Sequence, residues 1–418
     1  MGLLNIADLK PGMTIARDVI GKNGRMLLPK GLALTEAHLR VCNIWGVTEA
    51  EVYGASRDEA SEAAYHAIDP ERLKAAAHRA ALLFSGCNTE HPAVSELLRL
   101  RVIELAETAG ENGETGLFDR PGPARTLEAG QDRLPPAPSS PAALIAGDED
   151  MGSFPEVYFE LQNALDNPGS SDAHIADIIG RDPGLSARLL KLANSPLYGF
   201  ASSVDSLARG VMMVGARELI QLALGLTVID KFKDIPQGLL NVRQVWEHAI
   251  GCAVFARILA VHTEKLSLDR LFVAGLIHDL GRLVMLKKIP RHMARIMETA
   301  RVERIPLYAA EKRLLGYDHA DLGLAIMKKW RLPPVLCEIV GSHHAPETVI
   351  NIPEAALVHL ADLMTIACGV GYNGSPYVPP LSPAAWDSLG LPVSVLAVVL
   401  SQAGRQMREM TSSLLDPA

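Results

Sequence analysis

The stretch GLIHDLGRLVM, residues 275–285, sets His278 and Asp279 side by side inside an otherwise apolar run. An imidazole beside a carboxylate can ligate a metal ion that activates water. The same pair can also be a buried hydrogen-bonded couple with no chemistry. Neighbouring residues on a helix point about 100° apart, so both can reach one ion only if it lies between their directions. A helix end allows this, with other helices completing the shell.

The chain around this stretch is densely helical. From Phe154 onward, Val157, Leu161 and Leu165 form an apolar stripe at helical spacing, with Pro155 suited to a first helical turn. Asn167-Pro168-Gly169 ends that helix. Ser171 is expected to cap the next one, and Asp182-Pro183 to open GLSARLLKLANS. Ser203 is expected to cap a helix carrying Leu207, Val211 and Val214. Further helices with short connections run to about Leu414, which predicts an all-helical bundle over 153–418. The apolar segments PEAALVHLADLMTIACG and PVSVLAVVLSQAGRQM belong to its core.

Three other regions precede it. Residues 1–54 read as a small α/β module: a strand at 14–20, a turn at 21–24, and a short strand at 25–28. A helix from Thr35 to about Trp45, ended by Gly46, and an extended VTEAEVY complete it. Residues 55–109 read as one or two helices interrupted by GCNTEHP. Residues 110–152 are rich in Pro, Ala and Ser and poor in large apolar groups. They cannot offset their own ordering entropy by burial, which predicts a flexible linker.

Composition narrows the classes of function. The chain has 418 residues, 48% apolar and 21% charged, as in an ordinary globular protein. A net charge of −8 and 5% aromatic content argue against a general nucleic-acid binder. The five cysteines are scattered, with no C-x-x-C, and read as free thiols of a reducing cytoplasm. No signal peptide and no charge-free run long enough to span a membrane is seen, so a cytoplasmic location is expected.

His278 and Asp279 are not isolated. VWEHAIG supplies His248, GYDHADLG supplies His319, GSHHAPE supplies His343 and His344, and HLADLM supplies Asp362. Five imidazoles and two carboxylates suit two divalent ions with mixed nitrogen and oxygen ligands, drawn from Fe, Mn, Mg or Zn. Two ions about 3.5–4 Å apart would hold a phosphoryl group and generate hydroxide between them. Any one of these histidines, taken alone, is more simply a satisfied core residue. The ordered set is what carries the metal reading. His359, one turn before Asp362, reads as packing or as support for a ligand. The remaining histidines fit no pattern.

FPEVYFELQNALDNPGSS, IADIIGRDPGLSARLLKLANSPLYGF, SSVDSLARGVMMVGARELIQLAL, AGLIHDLGRLVM, YDHADLGLAIMKKWRLPP and HHAP together resemble the HDOD domain. This is a bacterial signalling module related to the HD superfamily of metal-dependent phosphohydrolases. The resemblance covers 154 to about 350. LKPGMTIARDV and LLPKGLALTEAHL look like a small module found ahead of HD-GYP domains. The resemblance implies an output or adaptor domain that has lost catalysis. It also implies that His248, His278, Asp279 and Asp362 stand at HD positions. His319, His343 and His344 then stand at the extra positions of HD-GYP cyclic-di-GMP phosphodiesterases. The HD-GYP recognition loop is missing, because APETVINIP follows His344. Arg282 stands where those enzymes carry lysine, and a phosphate-binding role is expected for it.

Two functions follow as expectations. The first is a cytoplasmic regulatory protein that works by binding other signalling proteins, or a nucleotide, without turnover. The second is a metal-dependent phosphohydrolase or phosphodiesterase acting on a nucleotide.

Overall fold

The computed structural model describes residues 2–6, 9–20, 26–44, 47, 49–53, 68–108, 134–147, 154–167, 169–195, 198–200, 202–232, 239–263 and 266–415. It is mainly helical, with a small α/β module at the N-terminus. In that module β1 (Gly2–Asn5), β2 (Val19–Ile20), β3 (Met26–Leu28), α1 (Glu36–Ile44) and β4 (Glu49–Val52) follow in order. Two antiparallel ribbons form, β1 with β4 and β2 with β3. The sequence did not single out β1. Within 14–20 only Val19 and Ile20 make a strand, while Thr14 and Ile15 form isolated bridges to Ala33 and Val52. Thr35 caps α1, its hydroxyl accepting from the His38 amide; the expected end at Gly46 lies outside the described residues. Leu4, Ile15, Leu34, Cys42 and Val52 close a small core that also takes in Val398 from the C-terminal helix.

Next come α2 (Pro70–Leu83) and α3 (Pro92–Thr108), with GCNTEHP between them. The reading of 110–152 as a flexible linker needs revision at its end. Within 134–147 lies α4 (Pro141–Ile145), and its Leu144 and Ile145 are buried in the main core. Lys288 donates to the Leu144 carbonyl and Lys329 to the Ile145 carbonyl, both at 3.2 Å. Two large aliphatic side chains and two lysine donors are enough to dock a short Pro-rich segment. Residues 110–133 and 148–152 lie outside the described residues.

The main bundle begins with α5 (Glu156–Asp166), α6 (Asp172–Gly180), α7 (Pro183–Ala193), α8 (Leu207–Val214) and α9 (Ala216–Lys231). Pro155 occupies the cap just ahead of α5 rather than its first turn. Ser171 and Asp182 cap α6 and α7 as their sequence context predicts. Ser203 does not cap α8; Ser206 does, accepting from the Arg209 amide at 3.3 Å. The Asn194 side chain explains the shift. It bonds both the amide and the carbonyl of Val204, at 2.7 and 2.8 Å, and takes the Ser203 hydroxyl at 3.1 Å. That ties the chain down, and the helix starts beyond it.

The second half runs through α10 (Val242–Val261), α11 (Leu268–Ile277), α12 (Leu280–Lys288), α13 (Pro290–Glu303), α14 (Leu307–Leu315), α15 (His319–Lys329), α16 (Pro334–Ser342), α17 (Ile352–Cys368), α18 (Pro383–Leu389) and α19 (Val395–Leu415). α10 is the axis of the fold and packs against α11, α17 and α19. It is long and apolar enough to cross a membrane, but 78% of its apolar window is buried inside the protein, as befits a core helix. Val395, Leu396 and Val399 of α19 are fully buried in the main core, so the C-terminal helices are structural parts of the bundle.

Gly281 fixes how α12 meets α15. A Cβ there would lie 2.0 Å from the His319 carbonyl oxygen and 2.8 Å from the Gly323 nitrogen, both backbone atoms that cannot swing aside. This contact brings His278 and Asp279 beside His319. Gly281→Ala is therefore expected to push the helices apart and destabilise the protein by about 1–3 kcal/mol, the usual cost of overpacking. A wild-type urea midpoint for this variant would show that the crossing is not constrained there.

Candidate metal centre

Helix ends build most of the site. His278 is the C-terminal cap of α11, and Asp279 the N-terminal cap of α12. His319 is the first residue of α15, set by an Asp318–Asp321 capping box. His343 and His344 follow the last turn of α16. Only His248 on α10 and Asp362 on α17 come from helix interiors. The C-terminal carbonyls of a helix lack partners within it. His278 Nδ1 takes up the Gly275 carbonyl, and His343 Nδ1 the Val340 carbonyl, each at 2.7 Å. Each Nδ1 must then be the N–H, so Nε2 is the nitrogen that faces inward and offers a lone pair whenever the ring is neutral.

The structure brings all seven sequence-predicted residues into one cluster, with two unequal halves. In the first, His248 Nε2 is 3.1 Å from Asp362 Oδ1 and 3.6 Å from Asp279 Oδ2. His278 Nε2 is 3.4 Å from Asp279 Oδ2 and 3.6 Å from Asp362 Oδ1. Four ligands around one ion stand roughly 3.4 Å apart when each bond is about 2.0–2.2 Å. In the second half, His319 Nε2 lies 3.1 Å from Asp279 Oδ1, 3.3 Å from His343 Nε2 and 2.9 Å from His344 Nε2.

Orphaned atoms test whether a cation fits. His278 Nε2, Asp362 Oδ1 and Asp279 Oδ1 are buried and have no aligned hydrogen bond. Asp279 Oδ1 is near His319, but the pair is not aligned to share a proton. Leaving such groups unpaired costs about 1–3 kcal/mol each. His278 Nε2 and Asp362 Oδ1, 3.6 Å apart, face one another beside Asp279 Oδ2 and suit a divalent cation, while Asp279 Oδ1 faces His319 in the other half at 3.1 Å. His248, His278, Asp279 and Asp362 would hold it. The bound ion would supply a Lewis acid.

Three further residues complete the site and were not foreseen. Glu311, on α14, is fully buried. It accepts from the His319 backbone amide at 2.8 Å and from His319 Nδ1 at 2.5 Å. Asn373 enters from the loop after α17, its Nδ2 lying 2.8 Å from Asp279 Oδ2 and 2.9 Å from His248 Nε2. Gly371 makes that entry possible: its φ is +58°, and a Cβ would lie 2.3 Å from the Gln244 carbonyl. Tyr308 stacks on His344 at 4.2 Å. A lone acid in a helix and an asparagine between glycines leave little signal in a sequence. Arg282 is buried too. Its Nη1 donates to Asp279 Oδ2 at 2.5 Å, and its Nη2 lies 2.9 and 3.0 Å from the two ring nitrogens of His319. His359 Nδ1 bonds the His343 carbonyl at 2.8 Å, while its Nε2 accepts from the Ser382 amide at 3.1 Å. It is a satisfied core histidine that steadies the His343 turn.

Electrostatics divide the histidines. Burial pulls His278 down, but Cys252, Asp279 and Asp362 outweigh it and hold the ring well above its ordinary value. Burial and Arg282 likewise oppose protonation of His319, yet Glu311 and Asp279 raise it to about 9. Burial, with His278 and His319 nearby, lowers His343 to about 3, and His344 falls well below the ordinary value for similar reasons. Burial would raise Asp279 and Asp362, but Arg282 with His278 and His319 for the first, and His248 with His278 for the second, keep both ionised.

Comparison with known proteins agrees with this architecture. Residues 151–346 match the HDOD domain, and the chain carries that domain there. An uncharacterized protein of Treponema pallidum is 26% identical over 223 residues, which is 52% of this chain but 41% of that relative. An HDOD domain protein of unknown function from Geobacter sulfurreducens superposes with a TM-score of 0.53 at 26% identity, covering 68% of this chain and 95% of its own. A candidate phosphohydrolase from Shewanella amazonensis gives 0.51 at 21% identity, covering 65% and 98%, a likeness of fold alone.

Chelator-treated protein should show the two histidine classes in its stability. His319, raised to about 9, contributes fully below its unfolded value near 6.5, and that contribution is lost as pH climbs through 9. His343, lowered to about 3, acts in reverse and costs stability as pH falls below 6.5. Melting temperature measured from pH 5 to 9.5 is expected to peak near 6.5. A steady rise between 6.5 and 9 contradicts the assignment for His319.

Proposed function

We propose that this protein is a regulatory HDOD protein that holds a divalent cation and acts by binding, without turnover. The closed mouth of the site carries this reading. Arg282, Tyr308, His344, Asp362, Asn373 and Pro379 are among the residues around a cavity of about 10 Å³, room for a single water molecule. Pockets for small organic ligands run from about 300 to 1,000 Å³. Asn373 already occupies the donor position beside Asp279 and His248, so a nucleotide would have to displace it. The missing HD-GYP recognition loop supports the same conclusion. Partners would be other signalling proteins, the location would be the cytoplasm, and any nucleotide would be a ligand rather than a substrate.

A second reading, a metal-dependent phosphohydrolase acting on a nucleotide, draws on the completeness of the His248–His278–Asp279–Asp362 set. The similar solved structures do not choose between the two. One is named as a candidate phosphohydrolase and another, from Marinobacter aquaeolei, as a candidate signal transduction protein with a TM-score of 0.51 at 23% identity. A shared fold does not transmit a reaction.

Purified full-length protein supplied with Mn²⁺ or Fe²⁺ is expected to hydrolyse cyclic-di-GMP and simple nucleotides no faster than Asp279→Ala. Wild-type turnover at least 100-fold above that variant would establish the phosphohydrolase reading instead.

A further inference from the structure

Arg282 lies where a second metal ion would draw its ligands. Its guanidinium is 2% exposed and bridges Asp279 and His319, the carboxylate and imidazole that join the two halves of the site. Its Nε is 3.5 Å from Glu311 Oε1. Glu311 in turn grips His319 through both the backbone amide and Nδ1. The second half of the site thus has its own cation, covalently tethered and held by two carboxylates.

Charge balance gives an independent reason. Among the described residues, the buried groups of the site include three carboxylates, Asp279, Glu311 and Asp362, against one guanidinium. Setting the imidazoles aside, these groups carry a net of two negative charges. One divalent ion cancels them. Two divalent ions would leave a buried excess of two positive charges, with a guanidinium 3.0 Å from His319 Nε2, a ligand the second ion would need.

We infer that Arg282 replaces the second ion of a dinuclear centre, so that the protein binds a single divalent ion through His248, His278, Asp279 and Asp362. Glu311 is a positioning residue in this arrangement: it orients His319 and anchors the guanidinium. Arginine suits the task because it stays charged at every pH the protein meets and its planar fork reaches Asp279 and His319 together. This also gives Arg282 an internal use distinct from binding phosphate. The inference rests on the metal-holding reading above and specifies its stoichiometry.

Metal content per chain tests it, measured by elemental analysis on full-length protein purified without chelator and equilibrated with Mn²⁺, then Fe²⁺. Wild type is expected to hold one ion, and Asp362→Ala none. His319→Ala should keep its one ion, because its ring lies in the half that Arg282 serves. Arg282→Ala should rise to two ions. Two ions in wild type, loss of the ion in His319→Ala, or a single ion in well-folded Arg282→Ala would each overturn the inference and leave metal binding intact. Should Arg282→Ala fail to fold, the contrast between His319→Ala and Asp362→Ala still decides. A metal-free wild type would overturn the metal reading itself.

Discussion

The burial of ionised groups in an otherwise apolar bundle is the constraint around which this protein is arranged. Asp279, Asp362, Glu311 and Arg282 all sit within the helical core. No single charge there can be left alone, because an isolated ion in a low-dielectric interior is far less stable than one in water. Each acid must therefore face a cation or an oriented dipole, and the helices must end where those partners are needed. Four of the seven predicted ligands occupy the first or last position of a helix or its immediate cap. Backbone polarity left over at helix termini does local work in return: the free carbonyls of Gly275 and Val340 select the tautomers of His278 and His343.

This dependence explains why the site was legible in the sequence to the extent it was. Residues at helix ends carry recognisable punctuation, as GYDHADLG does before α15, and the imidazoles and carboxylates recur at spacings set by whole helices. The fold class follows from the same apolar periodicity. What escaped were residues whose role depends on a distant partner. Glu311 is eight positions before His319, and nothing in YAAEKRLLGYDH separates it from a solvated glutamate. Asn373 depends on Gly371 passing the backbone of α10, a contact between segments more than 120 residues apart. Ser203 lost its predicted cap to Asn194 because a tertiary hydrogen bond outcompeted local propensity. The segment 134–147 read as linker by composition, yet Leu144 and Ile145 find a groove that composition cannot reveal.

Closure and charge pull in the same direction. Asn373 and Arg282 both donate to Asp279 Oδ2, so one oxygen of the carboxylate that would bridge two ions in a hydrolase already serves the protein's own donors. Every such internal contact makes the bundle more self-sufficient and the site less available to a phosphoryl group. The ligand set can persist under those conditions because it still neutralises the core.

That persistence bears on why HDOD architecture and metal ligands can coexist without implying a reaction. A hydrolytic centre needs an open coordination position, room for substrate and a charge surplus that develops only when a phosphate arrives. Here the surplus is removed in advance by a guanidinium that cannot leave, and the room is taken by a carboxamide fixed between two glycines. On the binding reading proposed above, an ion in such a setting would report on the spacing of α10, α11, α12 and α17, since its ligands would come from all four segments. A partner that shifted one of those helices would then change the affinity for the ion, and by linkage the ion would change the affinity for the partner.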